Sequence, residues 1–398
     1  MADEALLKGV KVVDLTRALA GPFCTMMLAD LGAEVVKVEP PPSGDEARLW
    51  GPPFLGGEST YFMSVNRNKR SIVLDLRNDV GKEVARRLLS LADVVVENFR
   101  PGTTKKLGID YDTVKSYNPK VIYCSISGFG QTGPYRELPG YDIIAFAMSG
   151  MMSITGEAGR PPVKMGVPVA DIGAGMFAAY AIASALFRRE RTGIGEYIDV
   201  SLLEGQIFWL TYQAGYYFAT LKDPERLGSA HLSIAPYQAF RARDGYFIIA
   251  AGNDEHWRRL CDVLELNSLK EDTRFKSNPD RVKNRTELEK ILSSVFVKDS
   301  ARNWVEKISK AGVPCCVINS ISDVFADEHV KARQVVMEIE HKKAGRIKQL
   351  NIPYRFNNYT FKISKAPPTL GEDTEEILKE LGYSKAEIES MKKSLAIY

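Results

Sequence analysis

Short apolar runs alternate with amphipathic segments along the first 130 residues of the chain. Strands are predicted by runs rich in valine and isoleucine at 11–15, 33–39, 71–76, 93–99 and 120–129. Helices are predicted between them at 21–31 and 79–91. Because strands that are apolar throughout and separated by helices pack with both faces covered, we expect a parallel sheet. Right-handed crossovers then make the fold α/β, with a Rossmann-like, doubly wound large domain.

The pattern after this sheet is first helical and then mixed. Apolar spacing predicts long helices over 172–189 and over 201 to about 221. Asp244-Gly245 between two β-type runs predicts a hairpin. Three more helices are predicted after it, at 256–264, 287–296 and 301–310. This mixture indicates a smaller α+β domain.

The predicted elements divide the chain into three parts. Residues 1–224 form the large domain, 225–325 form the small α+β domain, and 326–398 return to the large domain. Within the last part, a second hairpin is predicted at 335–350, and two short helices are predicted from Asp373 to the end. The length supports more than one domain, because 398 residues exceed what one ordinary core accommodates.

Charge and composition exclude several classes of protein. The 53 basic and 50 acidic residues leave a net charge of +3, so we expect no nucleic-acid and no membrane partner. The five cysteines are odd in number without a CxxC pair, and the four histidines are scattered, so we expect neither a disulfide framework nor a metal site. Adjacent Cys315 and Cys316 lie in an apolar run and predict a strand in the core.

The cellular location is predicted from two patterns that the sequence does not show. The first residues do not show the basic-then-apolar pattern of a signal peptide. The longest apolar stretch, 172–187, is shorter than the roughly 20 residues that a bilayer span needs. We therefore expect a cytoplasmic protein whose long apolar helix is buried in its own core.

Common nucleotide and hydrolase motifs are missing. The loop after the first strand contains no GxGxxG, and neither a GxxxxGK[ST] phosphate loop nor a GxSxG nucleophile elbow occurs. Glu39 closes the second strand as a ribose-binding acid would, which keeps a nucleotide-binding oxidoreductase open as an alternative. Without the glycines, a surface or turn acid is the favoured interpretation of Glu39.

Asp171 stands where an extended run meets the long apolar helix. One interpretation is a helix N-cap, which accepts hydrogen bonds from the first turn and contributes about 1 kcal/mol. The other is a nucleophile, because an ionised aspartate attacks an acyl carbonyl directly and gives a mixed anhydride. The small residues Gly173, Ala174 and Gly175 favour the nucleophile, since they let a ligand approach main-chain N–H groups that stabilise an oxyanion.

Two further groups of residues are candidates for a ligand site at the carboxyl ends of the strands. Tyr141 and Asp142 follow the turn-forming Pro139-Gly140, and a turn that leads into a buried helix is an equal interpretation. Basic residues suit a phosphorylated ligand, although a solvated basic surface is the simpler interpretation. These are Arg17, Lys69, Arg70, Arg77, Arg100, Lys105 and Lys106.

Several segments occur in a characteristic order along the chain, among them DLTRALAGPF, NRNKRSIVLDL, GFGQTGPY and RTGIGEYIDVSLLE. Taken together, they resemble the class III CoA-transferases, a family that includes formyl-CoA transferase and succinyl-CoA:glutarate CoA-transferase. The resemblance runs nearly from end to end, through 14–39, 66–76, 92–102, 128–135, 140–150, 165–205 and 366–378. Together these segments are far more specific than any one of them.

The resemblance implies a fold, a reaction and a set of site residues. The family forms an interlocked homodimer with a Rossmann-like large domain and a small domain. Its catalytic aspartate corresponds to Asp171, which attacks an acyl-CoA thioester, forms an aspartyl-CoA thioester with the released thiolate, and passes the CoA to a carboxylic acid through a second anhydride. The CoA thioester is a substrate, and no permanently bound cofactor is implied. The CoA contacts correspond to Arg17, Leu74, Arg77, Asn98, Phe99, Arg100, Lys106, Tyr141 and Asp142.

Departures from the family pattern narrow the substrate. A glutamine of formyl-CoA transferase is replaced by Leu19, and that enzyme's glycine-rich loop is missing from the small domain, so formyl and oxalyl substrates are not expected. Segments 50–69 and 230–246 are similar to the succinyl-CoA:glutarate branch. This similarity implies succinyl-CoA as the donor and a dicarboxylic acid as the acceptor.

Two other functions related to CoA remain as alternatives. An alpha-methylacyl-CoA racemase needs a His–Asp pair, and its histidine corresponds to Tyr141, which is a poor substitute for that base. A CoA-binding protein without activity is disfavoured by the presence of Asp171 with its glycine neighbours. The sequence therefore favours transfer of CoA.

Overall fold

The computed structural model of the chain describes residues 5–393 and residue 397. The chain divides into two compact units. The first consists of Met1–Met151, Met165–Leu210 and Arg333–Tyr398, and the second of Met152–Lys164 and Thr211–Ala332. The second unit thus begins before the predicted boundary at 225 and also includes 152–164, which the sequence did not indicate.

Thirteen strands lie within the described residues. They are β1 (Lys11–Asp14), β2 (Glu34–Glu39), β3 (Phe54–Leu55), β4 (Glu58–Ser59), β5 (Lys69–Val73), β6 (Val94–Glu97), β7 (Ile122–Ser127), β8 (Glu196–Ser201), β9 (Tyr237–Arg241), β10 (Tyr246–Ala250), β11 (Cys315–Val317), β12 (Val336–His341) and β13 (Gly345–Leu350). All five strands predicted in the first 130 residues are present.

Eighteen α-helices are described, together with short 3-10 helices at Glu46–Leu49 and Asn267–Lys270. The first ten are α1 (Ala20–Asp30), α2 (Thr60–Ser64), α3 (Asp79–Ser90), α4 (Thr103–Leu107), α5 (Tyr111–Tyr117), α6 (Asp142–Met148), α7 (Met151–Ile154), α8 (Val169–Thr192), α9 (Leu202–Phe208) and α10 (Tyr212–Thr220). The others are α11 (Asp254–Val263), α12 (Asn278–Lys283), α13 (Arg285–Phe296), α14 (Ala301–Lys310), α15 (Ile321–Ala326), α16 (Glu328–Ala332), α17 (Thr374–Glu380) and α18 (Lys385–Lys393).

A six-stranded parallel sheet organises the first unit. Its strand order is β5-β2-β1-β6-β7-β8, with β1 paired to β2 on one side and to β6 on the other. The direction of strand addition therefore reverses between β1 and β6. In sheets of this kind, the crevice outside the carboxyl ends of the strands at such a reversal is where ligands bind.

The edge strand β8 was not predicted. Its sequence, Glu196–Ser201, contains two acids and a tyrosine, and its first four residues are exposed or half-buried. A strand at the edge of a parallel sheet does not need the continuous apolar run that marks a central strand. β8 pairs with β7 in parallel over its whole length.

Both faces of the sheet are covered, as expected. One face packs against α1 and α8, through residues that include Val35, Val96 and Ile122. The other face packs against α3, α5 and the C-terminal helices α17 and α18. Strand residues alternate between the two faces, so Val94 and Val96 belong to the first core and Val95 to the second.

Helix α8 is the long apolar helix of the sequence, and it packs closely on α1. A Cβ placed on Gly175 would lie 2.6 Å from the carbonyl oxygen of Ala20, and one placed on Gly173 would lie 3.0 Å from the ring of Trp209. The expectation that these small residues leave room for a ligand is therefore wrong. Their size serves the packing of helices, because a side chain at Gly175 would push α8 off α1.

Helix α8 is also long and apolar enough to cross a membrane, judged by length and composition alone. It has 24 residues, more than the apolar stretch counted in the sequence. Just over half of its most apolar window, 56%, is buried against the rest of the protein. Ala174, Ala178 and Ile182 form the buried side of the helix.

The second unit has its own core. Strands β9 and β10 form the predicted hairpin, and β11 pairs with β10 in an antiparallel three-stranded sheet. Helix α14 begins at the predicted N-cap Ser300 and is followed by Gly312 in the left-handed conformation. The prediction that both adjacent cysteines lie in the core is wrong: Cys315 is half-buried and Cys316 is exposed, because successive strand residues point to opposite sides.

The C-terminal segment from Arg333 onward belongs to the first unit. Strands β12 and β13 form the second predicted hairpin. Asp373 Oδ2 accepts a hydrogen bond from the N–H of Ser71 at 2.9 Å, which fixes the start of α17 beside β5. The two predicted C-terminal helices are α17 and α18, and the remainder of that prediction, at 394–396 and 398, lies outside the described residues.

Candidate active site

Two cavities lie in the first unit beyond the carboxyl ends of the sheet strands. One, of about 320 Å³, is bounded by the loops after β1, β6 and β7 and by Asp171 at the start of α8. The other, of about 470 Å³, is bounded by the loops after β1, β2 and β5 and by α4. Arg17, Glu46 and Phe99 line both cavities, which therefore adjoin each other.

Asp171 is the third residue of α8 and is half-buried. The N-cap of the helix is Pro168, which has no side-chain capping bond, so the N-cap interpretation of Asp171 is wrong. Among the described residues, none donates a hydrogen bond to the Asp171 carboxylate. Burial, and after it the charge of Asp142, raises the pKa of Asp171 to about 7.

Asp142 holds the start of α8 from another helix. It begins α6, directly after the predicted turn, and its Oδ1 accepts a hydrogen bond from the N–H of Ala170 at 2.7 Å. The free N–H groups at a helix start favour a carboxylate. Asp142 therefore caps α8 in space, although it lies 28 residues earlier in the sequence.

The loop after β1 is fixed by polar contacts on both sides. The N–H and carbonyl of Arg17 pair with the side-chain amide of Asn98, at 2.9 and 2.8 Å. The N–H of Ala18, a residue with φ of 64°, donates to Asp45 Oδ1 at 3.0 Å. The guanidinium of Arg17 lies 5.3 Å from the ring centroid of Phe99, within the range of a cation–π contact.

Two buried ion pairs lie beneath this loop. Lys69 Nζ lies 3.0 Å from Asp14 Oδ2, and Lys37 Nζ lies 2.9 Å from Asp45 Oδ2. Lys37 Nζ also donates to the carbonyl of Thr16 at 2.8 Å. Lys69 is therefore not a phosphate ligand or a solvated surface residue, as the sequence suggested, because its charge is fully buried against an aspartate.

Glu39 is a structural residue. Its carboxylate accepts two hydrogen bonds from Arg48, at 2.7 Å each, one from Ser71 Oγ at 2.6 Å and one from the N–H of Asp45. Only 1% of its surface is exposed. Neither a ribose-binding role nor a surface position fits this arrangement, since both oxygens are already occupied. The nucleotide-binding alternative therefore loses its one supporting residue.

Seven of the nine residues that the resemblance gave as CoA contacts line the two cavities. The cavity with Asp171 contains Arg17, Asn98, Phe99, Arg100 and Tyr141, and the adjoining one contains Leu74 and Arg77 together with Arg17 and Phe99. Lys106 lies exposed on α4 and lines neither cavity, although Thr103 and Leu107 of the same helix line the second. Asp142 also lines neither, since its side chain faces Ala170.

The charged and aromatic residues of the Asp171 cavity that were not singled out in the sequence are Glu46, Trp50, Tyr61 and Arg136. The rings of Trp50 and Tyr61 meet edge to face with centroids 4.9 Å apart. Burial, and after it the charges of Asp171 and Asp142, raises the pKa of Tyr61 to about 12. These residues lie in loops and short helices without a periodic pattern, so no local signal marked them.

The loop that carries Arg136 is closed at its base by two glycines. A Cβ on Gly128 would lie 2.6 Å from the Cα of Gly140, so the two main chains touch and any side chain there would separate them. The N–H of Gln131 donates to Asp199 Oδ2 at 2.9 Å and fixes the same loop to β8. Arg136 is exposed, and its recorded ion pair is with the adjacent Glu137 at 3.3 Å.

Comparison with known proteins identifies the family of the chain. The family model for CoA-transferase family III matches residues 7–374. The chain belongs to this family. It is thus an enzyme, and the CoA-transferase resemblance seen in its sequence is confirmed. CoA thioesters and carboxylic acids are the substrates of such enzymes.

Relatives within family III are similar over nearly the whole chain. A succinyl-CoA:glutarate CoA-transferase of Mus musculus is 45% identical over 386 residues, which cover 97% of this chain and 88% of that protein. A succinate–glutarate CoA-transferase of Agrobacterium fabrum is 42% identical over 381 residues, 94% of this chain and 95% of the relative. The crystal structure of a CAIB/BAIF family protein from Brucella suis matches with a TM-score of 0.84 and 44% identity, covering 96% of this chain and all of that one.

Proposed function

We propose that this family III enzyme transfers CoA from succinyl-CoA to a second dicarboxylic acid, with the Asp171 carboxylate as the nucleophile. The observation that carries the proposal is the position of Asp171, a half-buried carboxylate at the wall of a cavity that three guanidinium groups also line. Relatives at 42% and 45% identity are named for succinate and glutarate, which supports the choice of substrates.

The proposed reaction consists of four acyl transfers. Asp171 attacks the thioester carbon of succinyl-CoA. The C–S bond breaks, CoA leaves as a thiolate, and a mixed anhydride of Asp171 and succinate remains. The thiolate attacks the aspartyl carbon of the anhydride and releases succinate, which leaves Asp171 as a CoA thioester. The acceptor carboxylate attacks this thioester, displaces the thiolate again and forms a second mixed anhydride with Asp171. The thiolate finally attacks the acceptor's acyl carbon and frees Asp171.

The adjoining cavities, of about 320 and 470 Å³, suit the size and charge of a CoA thioester. We propose that the acyl end and its pantetheine arm occupy the cavity with Asp171, and that the nucleotide end occupies the cavity near Leu74 and Arg77. Arg17 lines both cavities and therefore lies next to the part of CoA that joins the pantetheine arm to the nucleotide. A basic side chain at such a junction suits a phosphate because it forms charge-assisted hydrogen bonds.

A second carboxylate on the substrate needs a cation in the Asp171 cavity. Arg17 and Arg100 correspond to CoA contacts by resemblance, so Arg136 is the remaining guanidinium group in that lining. Its recorded partner is an adjacent exposed glutamate, and such surface pairs contribute little. We propose that Arg136 binds the distal carboxylate of succinyl-CoA and of the acceptor acid.

We further propose that the enzyme is a homodimer built on a Rossmann-like large domain. The strand order of the sheet, with one reversal next to β1, supports the second part. Large apolar side chains exposed on α8 and α9 support the first, because contiguous apolar surface marks an interface. They are Met176, Tyr180, Phe187, Ile207 and Phe208. Sedimentation of the purified protein tests this, and a monomer at micromolar concentration would contradict it.

Trapping of the acyl-enzyme tests the nucleophile. The protein is incubated with succinyl-CoA and hydroxylamine, digested and analysed by mass spectrometry. We expect a hydroxamate at Asp171, because hydroxylamine cleaves an aspartyl anhydride or thioester. The Asp171→Ala variant should lose both the label and the transfer of CoA from succinyl-CoA to glutarate.

A second carboxylate in the same cavity serves as the control. Glu46 lines both cavities and is exposed, so a reaction that depends only on access would label it as well. The Glu46→Gln variant should keep the hydroxamate at Asp171. A label on Glu46, or full transfer activity in Asp171→Ala, would show that the nucleophile is wrongly assigned.

A further inference from the structure

Two carboxylates stand at the start of α8 and are held in different ways. Asp142 Oδ1 accepts the N–H of Ala170, the second residue of the helix, at 2.7 Å. Asp171, the third residue, receives no hydrogen bond to its carboxylate from any described residue. A first-turn carboxylate is ordinarily stabilised by the N–H groups and the positive end of its own helix. Here one of those donors is taken by the other acid.

We propose that Asp142 is a positioning residue that activates Asp171: it fixes the first turn of α8 through Ala170 while withholding that donor from the nucleophile. The inference rests on the proposed role of Asp171. It replaces the CoA contact that the resemblance gave to Asp142, whose side chain lines neither cavity. Asp142 instead acts on Asp171 in two ways: it fixes the start of α8, and its negative charge lies close to that of Asp171.

The arrangement favours acylation because it raises the energy of the free carboxylate more than that of the product. Before the reaction, the negative charge of Asp142 repels that of Asp171. Formation of the anhydride or thioester removes the charge on Asp171, so the repulsion disappears along the reaction. An unfavourable interaction that is weaker in the transition state than in the ground state lowers the barrier and therefore accelerates the step. The raised pKa of Asp171 agrees with this, since Asp142 is its second cause after burial.

Other charged and titratable groups also lie near Asp171. The titratable and charged groups that line its cavity are Arg17, Glu46, Tyr61, Arg100, Arg136 and Tyr141. Among the helices packed against α8, α9 carries the exposed Glu204, and α1 carries Asp30, which pairs with Arg67. Asp199 of β8 accepts the N–H of Gln131. Asp142 is the one charged residue that also bonds to the first turn of α8 among those described.

The Asp142→Asn variant separates the capping contact from the charge. An asparagine oxygen still accepts the N–H of Ala170, so the helix start stays in place. The readout is the exchange of labelled succinate into succinyl-CoA as a function of pH, together with the dissociation constant for CoA. For the parent enzyme, kcat/KM should fall on the acid side with a midpoint near pH 7, because the nucleophile must be ionised.

We expect Asp142→Asn to lower that midpoint by about one pH unit, which is a tenfold change in proton affinity, and to lower the plateau rate by up to about the same factor. Its affinity for CoA should stay within about twofold of the parent, because no CoA contact is lost. Asp142→Ala removes the cap as well and should also lower the melting temperature. The Asp110→Asn variant is the matched control. Asp110 caps α5 through Thr113, away from both cavities, and its loss of charge should leave the pH midpoint unchanged.

Two results overturn the inference. If Asp142→Asn weakens CoA binding by tenfold or more with the midpoint unchanged, Asp142 is a CoA contact. If neither the midpoint nor the plateau rate changes, its charge has no role in activation. A parent enzyme that neither exchanges succinate nor forms the Asp171 hydroxamate would refute the proposed function itself, and the present inference with it.

Discussion

The side-chain amide of Asn98 and the main chain of Arg17 form two reciprocal hydrogen bonds. The N–H of Arg17 donates to Asn98 Oδ1 at 2.9 Å, and Asn98 Nδ2 donates to the carbonyl of Arg17 at 2.8 Å. The pair joins the loop after β1 to the loop after β6, and both loops line the Asp171 cavity. Because its oxygen is already engaged, Asn98 affects a ligand chiefly by placing Arg17.

The Asn98→Ala variant should therefore bind CoA thioesters poorly. Loss of both bonds leaves two main-chain groups of Arg17 unpaired, at a cost of about 1–3 kcal/mol. We expect the KM for succinyl-CoA to rise about tenfold or more, with a smaller effect on kcat, because 1.4 kcal/mol is a factor of ten in affinity. Steady-state kinetics with succinyl-CoA as the varied substrate measure both.

Asn118 provides a matched control for this variant. Its amide joins the end of α5 to the end of α3, with Nδ2 donating to the carbonyls of Leu89 and Ala92 at 2.9 and 2.7 Å, but it lines neither cavity. Asn118→Ala should lower the melting temperature and leave the KM unchanged. Equal changes of KM in the two variants would mean that Asn98 acts through overall stability.

The central part of the fold was predictable because its strands are apolar on both faces. β1, β2, β6 and β7 lie within the predicted runs for that reason. β5 was predicted at 71–76 and is found at Lys69–Val73, because Lys69 is buried by an ion pair that no local pattern indicates. β8 was missed because an edge strand tolerates acids.

The sequence indicated where the candidate site lies, but it did not indicate the contacts of its residues. The segment around Asp171 was found because a strongly apolar helix begins there. The interpretation of Asp171 as a helix N-cap was wrong, since the residue that caps the helix comes from α6 and is far away in sequence. The glycines near it were misinterpreted for the same reason: the carbonyl of Ala20, which excludes a side chain at Gly175, lies on α1.

Glu97 gives the protein a pH-dependent stability. It is 2% exposed, it accepts the N–H of Phe99 at 2.8 Å, and burial raises its pKa to about 7 in spite of its hydrogen bonds with Ser125 and Phe99. In the unfolded chain it ionises near 4.5, so between those values the folded state binds more protons. Stability is therefore lost as the pH rises from about 4.5 to 7, and the loss persists above it.

The Glu97→Gln variant should remove this loss. The amide oxygen still accepts the N–H of Phe99, and no charge is buried. We expect the free energy of unfolding at pH 8 to rise by about 1–3 kcal/mol relative to the parent, and the difference to shrink toward pH 4. Urea unfolding at both pH values measures this. A variant that is less stable than the parent at pH 8 would contradict the sign.

Arg136 should determine the preference for a second carboxylate. Replacement by glutamine keeps a polar side chain and removes the charge, so a dicarboxylic substrate loses a charge-assisted hydrogen bond worth about 1.5–3 kcal/mol. We expect kcat/KM for glutarate to fall at least about tenfold, while that for a monocarboxylic acid of the same chain length changes less than about twofold. The ratio of the two values is the measurement.

Arg100 lines the same cavity and serves as the comparison. Since it corresponds to a CoA contact, Arg100→Gln should lower the rates with both acids in the same proportion. The assignment of Arg136 is wrong if Arg136→Gln also lowers both equally, or if Arg100→Gln alone changes the ratio.

Removal of one partner from the buried ion pair between Asp14 and Lys69 should destabilise the protein far more than removal of one partner from an exposed pair. Both side chains are fully buried, and Asp14 also accepts from Thr16 and from Thr25 Oγ1 at 2.6 Å. Burial alone would raise the pKa of Asp14, but the nearby charges of Lys69 and Lys37 hold it well below its usual value. Lys69→Met leaves this carboxylate without its nearest counter-charge, which costs about 3–5 kcal/mol.

Lys310 offers the same substitution at the surface. It pairs with Glu306 one helical turn away at 2.7 Å, and both side chains are exposed, so Lys310→Met should cost less than about 1 kcal/mol. The double variant Asp14→Asn, Lys69→Met should recover part of the loss, because no charge is then left buried and unpaired. Thermal unfolding of the parent, Asp14→Asn, Lys69→Met and the double variant gives the coupling free energy of the pair, and Lys310→Met is measured beside them. A Lys69→Met variant as stable as Lys310→Met would mean that the buried pair contributes no more than its solvated counterpart.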